Sequence, residues 1–170
     1  MPRLIVALFL LALIGPLQAA ETAPSAAVEV RFENPEGFAD ARTDGSGRRG
    51  ASAEVTEGLG RYLARTAPRY LRPGSRLEIV FTDIDLAGEP ELGGDPALHG
   101  VRVVRSIHPP RLRFRWRVLD RDGALLGEGE EDLRDLGFQA APHADRDDAL
   151  RYEKRMLRDW LRERFGDRQE

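Results

Sequence analysis

The sequence predicts a single α+β domain, an antiparallel or mixed sheet of about five strands with two helices packed on one face. Three observations lead there. Residues 111–131, RLRFRWRVLDRDGALLGEGEE, have the pattern of a β-hairpin. Residues 150–165 carry apolar side chains at helical spacing. Shorter alternating runs and one more helical stretch precede them, with no internal repeat and no sign of a second domain.

In the hairpin, Leu112, Phe114, Trp116 and Val118 alternate with Arg111, Arg113, Arg115 and Arg117. A period of two sends the apolar set to one face of a sheet and the arginines to the other. Asp120-Arg121-Asp122-Gly123 is the turn, since Asp favours its first position and Gly tolerates positive φ at its end. On the return strand, Gly127 and Gly129 share the parity that faces Trp116 and Phe114, so the rings lie over bare backbone. The same parity sets Glu128 and Glu130 among Arg113, Arg115 and Arg117, where opposite charges help by roughly 0.2–1 kcal/mol per pair. A slip by one residue would put Glu128 beside Trp116 on the buried face, so the parity is enforced; a slip by two is left open.

Taken from its start, the chain opens with MPRLIVALFLLALIGPLQAA: Arg3, an apolar run over Leu4–Ile14, the breakers Gly15 and Pro16, then Ala19 and Ala20. That is the pattern of a secretory signal peptide, residues 1–20, too short in its apolar core to be a membrane span. Residues 21–27 are expected to be a disordered lead, 28–166 the domain and 167–170 a disordered tail. Val28, Val30 and Phe32 alternate with Glu29 and Arg31 as a first strand. Asn34-Pro35-Glu36-Gly37 ends it, and Phe38 is placed to tuck onto the core. Residues 43–50, TDGSGRRG, form a loop without the Lys-Ser/Thr ending of a phosphate-binding loop.

Ser52 is a natural N-cap for a helix carrying Val55, Leu59, Tyr62 and Leu63. Gly58 and Gly60 weaken it by roughly 1 kcal/mol each against Ala, or let it approach a sheet closely. Pro68 marks its end. Leu77, Ile79 and Phe81 define the second strand, running into Thr82-Asp83-Ile84-Asp85-Leu86-Ala87-Gly88. An acidic loop, residues 89–100, precedes another expected strand, residues 101–107, and His108-Pro109-Pro110 interrupts pairing before the hairpin. After the hairpin, residues 133–144 connect to the last helix, capped by Asp145 or Asp147 with Asp148 adding a second acid. Its apolar stripe is Leu150, Met156, Leu157, Trp160, Leu161 and Phe165. Glu153 lies inside that stripe, where a carboxylate must find a partner or stay protonated.

Lys and Arg total 26 against 29 Asp and Glu, and loss of Arg3 takes the formal charge from −3 to −4. With no basic excess, a nucleic-acid partner is argued against. The arginine stripe therefore reads first as a solvated face neutralised by glutamates, and only second as a surface for an anion. The absence of cysteine removes disulfides, thiolate ligands, cysteine nucleophiles and a lipidated anchor.

The ordered set Asn34-Pro35-Glu36 with Phe38 and Asp40, Thr82–Gly88, Pro109-Pro110-Arg111, Asp120 with Gly123, and Tyr152-Glu153-Lys154 with Trp160 resembles a family of secreted proteobacterial proteins known only as a domain of unknown function. The resemblance spans nearly all of the chain after its leader. It implies export and a single domain, and transfers no activity, cofactor or catalytic role.

Asp83 and Asp85, two apart and pointing the same way, are candidate ligands for a hard cation such as calcium, with Glu89, Glu91 and Asp95 nearby. Their structural reading is to accept backbone donors in the turn at Gly88. Glu153 is a candidate ligand contact or, preferably, one half of a buried ion pair with an arginine reaching from the sheet, Arg113 and Arg115 being candidates. His99, His108 and His143 have no metal-site spacing, and His108 reads as a turn residue. Ser46 lacks the strand and helix of a nucleophile elbow. No catalytic residue and no cofactor is assigned. The expected function is an exported, periplasmic, noncatalytic binding or envelope-interaction module. Its partner is a protein, small molecule or anionic polymer, and the mature chain has no transmembrane segment. The alternatives are a periplasmic enzyme of unnamed reaction and a calcium-binding protein using the Asp83/Asp85 loop. Weak membrane attachment through the last helix is disfavoured, because the same stripe must cover the sheet.

Overall fold

A computed structural model describes residues 26–91, 101–140 and 147–166. The leader, Asp95, His99, His143, Asp145 and the C-terminal tail lie outside them. The elements in order are β1 (Ala27–Phe32), α1 (Ala53–Thr66), β2 (Arg76–Asp85), β3 (Glu89–Pro90), β4 (Arg102–Val103), β5 (Arg111–Leu119), β6 (Leu125–Arg134) and α2 (Arg151–Phe165). β1, β2, β5 and β6 form one mixed sheet in the order β1-β2-β5-β6. β1 runs parallel to β2, with α1 in the connection, and the remaining pairs are antiparallel. This is the expected α+β architecture, with four strands in the main sheet rather than about five.

The strand expected over residues 101–107 is the one that differs. Only Arg102–Val103 is extended, and it pairs with Glu89–Pro90 in a separate two-stranded ribbon. The backbone bonds of this segment are taken up locally. Val101 accepts from the Glu91 N–H at 3.0 Å, and His108 accepts from the Gly88 N–H at 2.9 Å. The segment is thereby folded against the chain leaving β2 and never reaches a sheet edge.

Both helices bury their apolar stripes on the face that carries Phe81, Phe114 and Trp116. α1 contributes Val55, Leu59 and Leu63, and α2 contributes Met156, Leu157, Trp160 and Leu161, all buried. Trp160 meets Phe114 edge-on at 4.8 Å between ring centroids, and Phe165 meets Trp116 at 5.6 Å. Such aromatic pairs add about 0.5–1.5 kcal/mol each beyond the area they bury. Trp116 is left 6% exposed, so α2 does roof the ribbon. Phe38 is buried as expected. Ser52 occupies the N-cap position of α1 but makes no side-chain capping bond; its carbonyl accepts from Val55 and Thr56. A Cβ on Gly58 would come within 2.7 Å of Leu150, so this glycine admits the chain entering α2 rather than the sheet. The cap of α2 is also shifted. Leu150 holds the N-cap position, and Asp148 accepts from its N–H at 2.9 Å while pairing with Lys154 at 2.6 Å.

The hairpin keeps the expected parity and slips by two residues. Trp116 faces Gly129, Val118 faces Gly127, and Phe114 faces Glu131 rather than Gly129. An irregularity between Val118 and Leu119 brings Leu125 opposite Leu119. Glu131 thus arrives on the helix side of the sheet. Its carboxylate accepts from Trp116 Nε1 at 2.9 Å and from Arg164 at 2.8 Å.

On the outer face the arginines stay accessible, but not with the expected partners. Arg115 and Arg117 lie opposite Glu130 and Glu128, yet Arg115 pairs with Glu33 and Arg117 with Glu78, at 2.7 Å for the latter. Arg111 and Arg113 share Asp132. The guanidinium groups of Arg115 and Arg117 lean towards the middle of the sheet, where they meet carboxylates of β2 and of the residue following β1.

The two hairpin glycines are not equivalent. A Cβ on Gly129 would lie 3.0–3.1 Å from the Trp116 indole, whereas one on Gly127 would make ordinary contact at 3.6 Å. The indole is held by its bond to Glu131 and cannot easily yield. Gly129→Ala is expected to cost about 1–3 kcal/mol in urea unfolding, as overpacking does, and Gly127→Ala to be tolerated. Equal costs would show that Trp116 does not rest on the Gly129 backbone.

Candidate functional site

At the end of β2 the sheet meets three loops, and a polar cavity of about 420 Å³ lies among them. Its formation begins with an irregularity in β2. Pairing with β5 shifts between Phe81 and Asp83, so that Phe81 and Ile84 are both buried while Asp83 and Asp85 share the opposite side. The chain after β1 turns back at Asn34, whose φ of 51° is left-handed, a conformation Asn tolerates better than most residues. It then runs beside the end of β2. The Asp40 N–H donates to Ile84 at 3.2 Å, and the Leu86 N–H donates to Asp40 at 2.8 Å. Asp83 accepts the Ala39 N–H at 2.9 Å.

Arg102 locks this arrangement. Its guanidinium, only 11% exposed, donates to Asp40 Oδ1 at 2.5 Å and to the carbonyls of Gly88 and Arg42 at 2.9 Å each. Gly88 permits the approach. Its φ is +78°, and a Cβ there would stand 2.5 Å from the Val103 carbonyl oxygen.

The cavity wall combines Asp40 and Asp85 with Arg48, Arg111 and Arg134, and with Glu89 and His108. Most of these are already engaged. Asp40 holds Arg102, Arg111 holds Asp132, and Glu89 lies 3.1 Å from both Arg105 and His108. Asp85 is different. Its half-buried carboxyl accepts no hydrogen bond among the described residues. It is pushed above the usual aspartate range by burial first, then by the charges of Asp40 and Asp83, with Arg102 and Arg111 partly offsetting them. Arg134 is exposed and has no ion-pair partner among the described residues.

The candidate residues of the sequence fall in three places. Asp83 and Asp85 lie under and in the cavity, but Asp83 is held by Ala39, in the loop after β1 rather than in the turn at Gly88. Glu91 pairs with Arg105 at 2.7 Å. Among the described residues no group of three or more His, Asp or Glu is placed to hold a metal ion. Arg113 and Arg115 lie on the outer sheet face. Glu153 is fully buried in the first turn of α2. Its partner is a backbone amide rather than an arginine: Oε1 accepts the Ala87 N–H at 2.9 Å, and Oε2 has no partner among the described residues. Burial pushes this carboxyl upward. Around it Ala87, Phe138 and Tyr152 form a small second core, with Phe138 and Tyr152 edge-on at 4.9 Å.

Asp40, Arg48, Arg102 and Arg134 were not singled out from the sequence. One signal pointed to part of the cavity wall: Asp40, Asp85, Gly88, Pro109 and Arg111 all belong to segments that carry the family resemblance, and all of them line this cavity.

Fold and cavity together define a small α+β domain with a charged recess at one end of its sheet. The chain belongs to the family described as Protein of unknown function (DUF3016), whose model matches residues 26–163. No curated protein and no solved structure matches it.

Two predictions follow from the turn at Ala87-Gly88. Gly88→Ala must be accommodated at positive φ, which costs roughly 1–2 kcal/mol for an L-residue, and must also displace the Val103 carbonyl. A drop in melting temperature with loss of amide protection over 86–91 is expected. For Glu153, a native pKa raised above the unfolded value means that the native state binds more protons. The stability it contributes is complete below the unfolded pKa and is lost as pH rises through the native one. Glu153→Gln keeps an acceptor for Ala87 and removes that loss, so its stability relative to the parent should improve from pH 5 to pH 8. Glu153→Leu strands the Ala87 N–H and should cost about 1–3 kcal/mol at either pH. A parent protein that gains stability over Glu153→Gln as pH rises would show that Glu153 is an ionised partner instead.

Proposed function

We propose that the protein is an exported, noncatalytic binding module whose ligand, a small zwitterion, sits in the cavity at the end of β2. One observation carries this reading: an unbonded, half-buried Asp85 carboxyl shares a recess of about 420 Å³ with the guanidinium groups of Arg48, Arg111 and Arg134. A carboxylate left without donors inside a protein is stabilised by a ligand that supplies them. An ammonium group suits Asp85, and an anionic group suits Arg134 and Arg48 at the rim. Export rests on the leader at residues 1–20 and on the family resemblance. Among the described residues no helix is long and apolar enough to cross a membrane.

The rival reading, an enzyme, draws on the same Asp85, whose raised pKa suits an acid or base. It lacks, among the described residues, a nucleophile hydrogen-bonded to a base in this recess. Ser46 accepts from Arg42 at 3.2 Å and its N–H donates to Asp44 Oδ1 at 3.1 Å, but Arg42 holds the Asp44 carboxyl well below the usual aspartate range, which makes it a poor base.

The test is thermal denaturation of the full chain after removal of residues 1–20, titrated with the free L-amino acids one at a time. At a hundred times its Kd a ligand stabilises by about 2.7 kcal/mol, and one subset should raise the melting temperature by several degrees. Asp85→Asn should abolish the rise without unfolding the protein. Because the Asp85 pKa is raised, binding of the ammonium should fall away on acidification at a higher pH than for an ordinary aspartate. No shift with any amino acid, or a shift that survives Asp85→Asn, would remove this reading. Fractionation of producing cells should place a chain beginning near Glu21 outside the cytoplasm.

A further inference from the structure

At the opposite edge of the sheet from β1, the backbone of β6 is open. β6 is the last strand in the order β1-β2-β5-β6, and among the described residues nothing pairs with its other side. Ten residues long, it offers roughly 33 Å of edge at about 3.3 Å per residue. Natural sheets usually shorten, cover or charge such an edge. This one is charged, in a lopsided way. Arg115 and Arg117 turn to Glu33 and Glu78, so Glu128 and Glu130 project from the outer face with no ion pair among the described residues. On the helix side, α2 and β6 do not close. A cavity of about 290 Å³ is bounded by Leu71, Trp116, Val118, Leu126 and Phe165. A second, of about 280 Å³, is mostly charged, bounded by Glu131, Glu163 and Arg164 together with Leu133 and Trp160. The Glu131 charge there is already met by Arg164. Leu125 and Leu126, at the start of the strand, are 52% and 49% exposed.

We infer that β6 is a docking edge for an extended segment of another protein that alternates basic and apolar residues. Added as a further strand, such a segment takes its affinity from main-chain hydrogen bonds to β6. Its period of two sends Lys or Arg towards Glu128 and Glu130 on the outer face and apolar side chains to the helix side, where the cavity between Leu71, Trp116, Leu126 and Phe165 takes one of them. A second copy of this chain fits poorly. Antiparallel pairing of β6 with itself about Gly129 sets Glu128 opposite Glu130, and pairing about Glu130 sets Glu128 opposite Asp132; like charges directly opposite one another are destabilising.

The probe is a synthetic Lys–Val alternating decapeptide, used at concentrations where it is monomeric, against the full chain without residues 1–20. Binding is read by fluorescence anisotropy and mapped by amide hydrogen exchange. Controls are a Glu–Val alternating peptide and a scrambled peptide with the lysine and valine content of the probe. The Lys–Val peptide should bind and slow exchange of the β6 amides, and the Glu–Val peptide should not bind. The Glu128→Gln/Glu130→Gln double variant, whose exposed positions leave the fold intact by circular dichroism, should bind it about tenfold more weakly. Equal binding of the scrambled peptide would reduce the effect to net charge and overturn the proposal. So would binding without β6 protection, or sedimentation showing that the protein pairs with itself through this edge.

Discussion

One buried hydrogen bond, from the Ala87 amide to the Glu153 carboxyl, ties the chain leaving β2 to the first turn of α2. The chain leaving β2 must turn sharply beneath the first turn of α2, and there the Ala87 N–H is cut off from water. A buried donor without an acceptor would cost about 1–3 kcal/mol. Glu153, fully buried itself, supplies the acceptor. With that turn held, Gly88 can take its positive φ, the β3–β4 ribbon can fold back over it, and Arg102 arrives where it can bind Asp40 and two carbonyls. The recess around Asp85 exists because those loops are tied in this order. The position calls for an acceptor, and burial raises the Glu153 pKa by more than the Ala87 amide and the charges of Arg102 and Arg151 lower it.

Charge on the sheet follows a similar economy. Guanidinium groups on β5 can reach carboxylates on either side: Arg111 and Arg113 bond to Asp132 of β6, whereas Arg115 and Arg117 bond to Glu33 and Glu78. Exposed pairs of this kind contribute little to stability. Their consequence is spatial: the centre of the outer face is neutral, and the β6 edge is acidic. Pairing of this edge with itself would set like charges opposite one another, while its backbone groups stay available.

The two faces of the sheet and the recess at its end were legible to different degrees. Alternation in Arg111–Val118 showed which side chains are buried, and helical spacing put Glu153 in the stripe of α2; both are local geometry. The recess joins Asp40, Asp85 and Arg111, which are far apart in sequence and belong to a loop, the end of β2 and the start of β5. No spacing rule links such residues. Arg102 lay inside an expected strand, and only the folded-back ribbon makes it a clamp.

Periods of two and of 3.6 residues therefore determined, from the sequence alone, the strand parity, the buried faces and the helix that covers the aromatic rings. They did so because burial on the wrong face would cost every apolar contact of an element at once. Tertiary structure decided the rest: the two-residue slip of the hairpin, the withdrawal of residues 101–107 from the sheet, and the partner of Glu153. Each of these preserves parity or burial, so local pattern is indifferent between the alternatives. The choice was made by single long-range contacts, Trp116 and Arg164 on Glu131, Gly88 on His108 and Ala87 on Glu153, which exist only once the elements have met.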